Sequence, residues 1–194
     1  DYFNYLTTDA EKQAKIEFQP GGNIQTGLRF KFWKYHSVHL NASYGSYQHL
    51  FTSLFPSNDN WQNPGLKNEQ NLSAELGYTI FSRKLKVEAV GYWTQLKNRS
   101  LARYSNLYAG DSFGLVNGLE EIHQGVELKT SYKLSKNFKL NINGSLSDWT
   151  YSNDGQSTLF GTDKVVTSEN KLWLKDLKIA NAPQFTLFAE AEYR

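Results

Sequence analysis

Residues 63–98 read NPGLKNEQNLSAELGYTIFSRKLKVEAVGYWTQLKN, and their alternation decides the fold. From Leu72 the apolar residues take every second place: Leu72, Ala74, Leu76, Tyr78, Ile80. Ser73, Glu75, Gly77 and Thr79 stand between them. A period of two marks a strand with one apolar and one polar face. Ser82-Arg83 interrupts it. Leu85, Val87, Ala89, Gly91 and Trp93 then resume it against Lys86, Glu88, Val90, Tyr92 and Thr94. Each strand runs about ten residues, against about five or six in an ordinary globular sheet. That length suits a tilted strand crossing a bilayer.

The pattern recurs on both sides. Upstream, Thr26, Leu28, Phe30 and Phe32 alternate with Gln25, Gly27, Arg29 and Lys31, and Val38, Leu40, Ala42 and Tyr44 with His39, Asn41, Ser43 and Gly45. Downstream, strands are expected from Gly125 to Leu134, from Phe138 to Leu146 and from Phe185 to Tyr193. No apolar face carries a charge. The connections alternate strictly. Trp33 to His36, Ser82-Arg83 and Ser135 to Asn137 are tight; Tyr47 to Glu69, Arg99 to Glu120 and Ser152 to Ala182 are long. Outer-membrane barrels have short periplasmic turns and long extracellular loops. Backbone groups in a bilayer must all be paired, so such strands close into a barrel. The expectation is an all-β chain: one piece, residues 1–194, of a transmembrane antiparallel β-barrel with about seven long strands. Asp1 to Pro20 reads as loop, with a possible short strand at Lys15 to Phe18.

Composition agrees. Of 194 residues 39% are hydrophobic, the mean hydropathy is −0.60, and no apolar run is long enough for a membrane-spanning helix. A barrel escapes hydropathy because half of each strand is polar. Aromatics reach 15%, which suits girdles at the membrane interfaces. Phe30, Phe32, Trp33, Tyr44, Tyr78, Trp93 and Tyr132 are assigned to those belts. With 21 Lys and Arg against 19 Asp and Glu there is no electrostatic case for nucleic acid. Cysteine is absent, which excludes disulfides, thiolate metal sites and cysteine nucleophiles. Methionine is absent too, and no leader-like segment opens the chain, so it reads as an internal piece of a longer protein.

Candidate chemistry is sparse. His36 and His39 lie three apart, which on a strand sends them to opposite faces, so they do not share an ion. The polar faces carry charges of both signs, among them Arg29, Lys86, Glu88, Glu127, Lys129 and Glu192, which read as a network across neighbouring strands. No nucleophile elbow or phosphate-cradling glycine loop is present, and the chain is not expected to be an enzyme. The long connections hold exposed aromatics. Trp61, Tyr104, Tyr108 and Trp173 are the candidates for capturing a ligand, with loop-to-loop packing as the alternative role.

Several stretches also carry a resemblance. NPGLKNEQ followed by ELGY, a tight turn and a strand containing Tyr92-Trp93 resembles the barrel of TonB-dependent outer-membrane receptors. So do VNGLEEIHQGVEL from Val116 to Leu128, in the manner of Bacteroidetes-type members, Asp148-Trp149-Thr150-Tyr151, and LKIANAPQFTLFAEAEY near the end. The resemblance implies a receptor in the Gram-negative outer membrane that imports an iron chelate, a vitamin, or a glycan or peptide. It implies a plug domain and a contact with the TonB energy-coupling complex, neither encoded in these residues, and it allows a surface lipoprotein partner. It implies no cofactor or metal of the protein's own, and a structural role for His123 ahead of Gln124-Gly125. The alternative reading is a barrel that serves as scaffold in an outer-membrane assembly without importing anything.

Overall fold

The computed structural model describes residues 20–56, 61–105, 112–161, 163–180 and 182–194, with the backbone of two short strands near the start. Those are β1 (Tyr2–Phe3) and β2 (Ala14–Lys15), which pair with each other. Apart from Lys15, the strand expected at Lys15 to Phe18 lies outside the described residues. The body is a nine-stranded antiparallel sheet: β3 (Gly22–Phe32), β4 (His36–Tyr47), β5 (Glu69–Phe81), β6 (Leu85–Ser105), β7 (Ser112–Lys133), β8 (Phe138–Tyr151), β9 (Gly155–Phe160), β10 (Val166–Leu172) and β11 (Phe185–Tyr193). Among the described residues the sheet is open, with β3 and β11 each paired on one side. One helical turn, α1 (Phe51–Leu54), lies in the β4–β5 connection.

The register shows why the alternation matters. Leu28, Leu40, Leu76, Gly91, Val126, Leu146 and Phe185 stand side by side across seven strands. The next row toward the tight turns is Phe30, Val38, Tyr78, Ala89, Leu128, Gly144 and Leu187. Neither row holds a charge, and most of their large side chains are exposed: Leu28 73%, Leu76 59%, Leu187 68%. A sheet that leaves this much aliphatic surface unburied is one whose outer solvent is lipid. From Ile24 to Phe32 is eight steps, about 27 Å along the strand and about 21 Å along the normal at a tilt near 40°. That is close to the apolar band of about 25 Å of an outer-membrane barrel.

The opposite face is polar. Gly27, Asn41, Glu75, Tyr92, Gly125 and Ser147 form one row, and Lys31, Ser37, Thr79, Glu88, Lys129 and Asn143 another. Ion pairs lie on it: Glu127 with Lys129 at 3.3 Å along β7, and Lys139 with Glu192 at 2.7 Å between β8 and β11. His36 and His39 do fall on opposite faces; His36 meets the Tyr78 hydroxyl at 2.6 Å, and the His39 ring lies over Gly77. Rings also lie over Gly45 (Tyr47) and Gly125 (Tyr92). The absent Cβ is what lets each ring lie flat against the wall.

Two long connections are not the loops expected. β6 runs on to Ser105 and β7 begins at Ser112, so most of Arg99 to Glu120 is a ladder. Likewise Ser152 to Ala182 contains the β9–β10 hairpin, with β9 paired to the upper part of β7. The reason is a shift in phase. β6 bulges between Leu96 and Arg99, with Asn98 at φ 58°, and β7 bulges opposite Ser100, with Gly118 at φ 72°. Each bulge inserts one residue without changing sides. The slip puts Phe113 and Leu115 on the face of Val126 and Leu128, although their parity in the sequence is opposite. At the same height β8 gives way to β9 through Ser152–Asp154, where Asn153 fills the gap. Its Oδ1 accepts from the Glu120 amide at 2.9 Å, and its Nδ2 donates to the Gly118 carbonyl at 2.9 Å.

Candidate functional site

Above the bulges the sheet is no longer bathed in lipid and builds a small core of its own. Phe113 and Phe160, register partners on β7 and β9, stack at 5.3 Å, and Trp61 meets both edge-on at 5.3 and 4.9 Å. Leu115 lies under them, 2% exposed. The connection from Tyr47 to Glu69 is held down by a second cluster, Leu54, Phe55 and Leu66, and by a buried amide pair. Asn63 Nδ2 donates to Asn117 Oδ1 at 3.1 Å, and Asn117 Nδ2 donates back to Asn63 Oδ1 at 2.8 Å. Ser100 adds a donor to Asn117 Oδ1 at 2.6 Å, and the Asn63 amide reaches the Leu54 carbonyl at 2.8 Å. Buried amides so completely partnered fix a loop in one place.

On the polar face, reaching from the bulges downward, lies a second constellation. Arg99 Nη1 donates to both oxygens of Glu121, at 2.9 and 2.8 Å. Glu121 is buried, and its Oε2 also faces His123 Nε2 at 2.9 Å. The His123 ring stacks on Trp149 at 4.4 Å. Trp149 Nε1 donates to the Tyr92 hydroxyl at 3.0 Å, and that hydroxyl meets Ser147 Oγ at 3.0 Å. Three neighbouring strands, β6, β7 and β8, are thus joined on the inner wall by one polar chain. Farther along the same wall is a cleft of about 500 Å³, lined by Gln25, Asn41, Ser43, Ser73 and Glu75 among others.

The profile of the family described as TonB dependent receptor-like, beta-barrel matches residues 2–194. The chain belongs to that family. No curated protein and no solved structure matches it. As a TonB-dependent receptor barrel it is part of an outer-membrane receptor or transporter of the Gram-negative type, a family that works with a plug and with TonB. The uncharged rows are then its lipid face and the Glu121 chain part of its lumen wall.

The four aromatics singled out in the sequence do not form one cluster. Trp61 is half-buried against Phe113 and Phe160. Tyr104 lies on β6, opposite Phe113 in register, rather than in a loop. Tyr108 lies outside the described residues. Trp173 follows β10 and is 72% exposed, with Lys171 Nζ over its ring at 3.7 Å. Lys171 also pairs with Asp154 at 2.9 Å, and the Lys175 amide donates to the same carboxylate. The Lys171 ammonium, then the Lys175 amide, hold the Asp154 carboxyl below its ordinary range. The stabilisation is present above the ordinary Asp pKa and is lost only as pH falls through the lowered one. The sequence missed Arg99, Tyr92 and Trp149 as partners. Their signal was parity: Tyr92 and His123 occupy polar-face positions, where an aromatic ring needs a reason.

Proposed function

We propose that this barrel segment serves TonB-dependent uptake of a ligand across the outer membrane, with the long connections on the cell surface and the tight turns in the periplasm. The observation that carries the reading is the family match over residues 2–194. Seven-strand rows free of charge on one face and polar on the other support it. The ligand class is an iron chelate, a vitamin, or a glycan or peptide presented with a surface lipoprotein. Energy from TonB rearranges the plug, and the barrel supplies the wall.

Sidedness is tested on whole cells. Val165, 60% exposed at the β9–β10 turn, is a better reporter than Gly155, which is packed against Leu119, Leu174 and Val116. A cysteine at Val165 in the full-length receptor reacts with an impermeant thiol reagent, and one at Lys136 does not. The reverse pattern overturns the topology.

Ligand capture is assigned to the loop-side aromatics, with Trp173 foremost. Its ring is rigid, mostly open to solvent, and set beside a cation. Trp173→Ala in the full-length receptor should weaken ligand binding about thirtyfold, the effect of a hot spot worth about 2 kcal/mol. Tyr104→Ala and Tyr108→Ala should weaken it less. Trp61→Ala should instead raise protease sensitivity of the 48–68 connection, because Trp61 packs against Phe113 and Phe160. Unchanged affinity in all four variants rejects capture and leaves packing as their role.

A further inference from the structure

From β3 to β6 the lumen wall changes character along the strands. Toward the long connections its rows are neutral: Gln25, Ser43, Ser73 and Thr94 in one, Asn23, Gly45, Asn71 and Leu96 in the next. The row on the turn side of these, Gly27, Asn41, Glu75 and Tyr92, holds a carboxylate but no cation. Closer still to the tight turns the wall is cationic. The carboxylates Glu88, Glu127 and Glu192 each have a lysine there, Lys86, Lys129 and Lys139. Arg29, Lys31 and Lys133 on the wall, and Arg83 and Lys84 in the β5–β6 turn, have no carboxylate partner among the described residues.

Lys34, Arg83, Lys84, Lys86 and Lys133 surround one cleft of about 440 Å³, and Phe81 lies within it. Phe81 and Lys86 are register partners in the polar phase of β5 and β6, and Lys133 keeps that phase on β7, so the cleft opens to the lumen. Phe81 is 63% exposed there. An exposed phenylalanine on the lipid side is at home in its solvent; on this wall only something filling the lumen can cover it. Backbone bonds hold the site rigid. The Phe81 amide donates to the Tyr35 carbonyl, the Ser82 amide to the Leu85 carbonyl and the Lys133 amide to the Lys84 carbonyl, each at 2.8 Å. Like charges fixed this close repel one another unless an anion from outside lies among them.

We propose that this cleft docks an acidic segment of the receptor's plug, its carboxylates set among Arg83, Lys84 and Lys133 and an apolar side chain beside them covering Phe81. The zoning of the wall says where along the strands the segment sits. Nearer the long connections it would meet Glu75 and neutral amides and hydroxyls; only at the tight-turn end does it meet unpaired cations. The proposal rests on the polar face being the lumen wall against which the family's plug lies. It does not rest on ligand uptake or on which side of the membrane the turns face.

The test uses the full-length receptor with its plug, in detergent, with the photo-crosslinker benzoylphenylalanine in place of Phe81. Mass spectrometry of the digested product identifies the captured peptide. It should come from the plug and carry more Asp and Glu than Lys and Arg. The same crosslinker in place of Tyr132, on the lipid face, should capture no plug peptide. K84E/K133E should lower the yield from position 81 about tenfold, because like charges brought together across an interface are costly. K67E/K175E, at the far end, should leave it unchanged. A neutral pair separates charge from folding. Raising salt from 0.1 to 1 M shortens the screening length from about 10 to about 3 Å. That should cut the yield severalfold in the parent and leave it unaltered in K84Q/K133Q. A captured peptide that is basic or lies outside the plug overturns the proposal, as does a yield indifferent to both charge reversal and salt. Plug capture from Tyr132 but not from Phe81 would exchange the two faces and overturn it too. Loss of ligand uptake with the crosslink intact would count against the transport reading alone.

Discussion

Leu76→Arg costs the full-length receptor about 2–4 kcal/mol of folding stability in lipid vesicles. Leu76 lies at the middle of the apolar band, between Leu40 and Gly91 in its row, with its side chain exposed. In water an exposed leucine replaced by arginine would matter little. In lipid the guanidinium must either lose its hydration or drag water and head groups toward it. Three positions along the same strand, Thr79→Arg places the charge on the other face, where Glu88 stands opposite in register. That variant should lose less than about 1 kcal/mol. Denaturant titrations of vesicle-reconstituted protein give both numbers. Equal losses at the two positions would mean that both faces meet the same solvent, and the barrel assignment would fall.

Gly125→Val should cost about 3 kcal/mol, for a reason internal to the wall. A Cβ at Gly125 would stand 2.5 Å from the Leu146 carbonyl oxygen and 2.8 Å from the Tyr92 hydroxyl. The carbonyl belongs to the β7–β8 ladder and cannot retreat without breaking it. The ring can retreat, but the Tyr92 hydroxyl then leaves Ser147 and the Trp149 indole, and Trp149 Nε1 loses its acceptor. Gly91→Ala is the control, because nothing lies within 4 Å of the corresponding Cβ. Urea unfolding of the two variants should separate them clearly. A Gly125→Val protein as stable as its parent would show that the ring over Gly125 is not fixed there.

The part of the fold legible in the sequence is the part whose alternation a single solvent imposes. Lipid demands an apolar side chain at every outward position, so Leu72 to Ile80 and Leu85 to Trp93 declare themselves, and so do the turns at Trp33, Ser82 and Ser135. The ladder above Leu96 does not, because Asn98 and Gly118 each absorb a residue and break the count. Gly118 in a run of otherwise alternating residues was the available sign of a bulge. The loop-side site was legible only as a list of aromatics. Sequence cannot say that Trp61 is spent on Phe113 and Phe160 while Trp173 stays open, since that depends on which strands meet. The Arg99–Glu121 pair was hidden for the same reason: Arg99 fell within a stretch read as loop, and Glu121 lay just past its end, ahead of the strand expected from Gly125.

The irregularities at Lys97-Asn98, at Asn117-Gly118 and at Ser152–Asp154 lie at one height across adjacent strands. Together they make a seam. Below it, the positions of side chains are dictated by hydrocarbon; above it, by water and by the neighbouring connections. Because the seam takes up the difference, the two regions keep separate phases. The panel built on Phe113, Leu115 and Phe160 is therefore free to be lengthened, trimmed or exchanged for another without turning a single leucine of the spanning rows toward the lumen. A receptor that must meet changing ligands at the surface while meeting the same bilayer below has the division where it is useful.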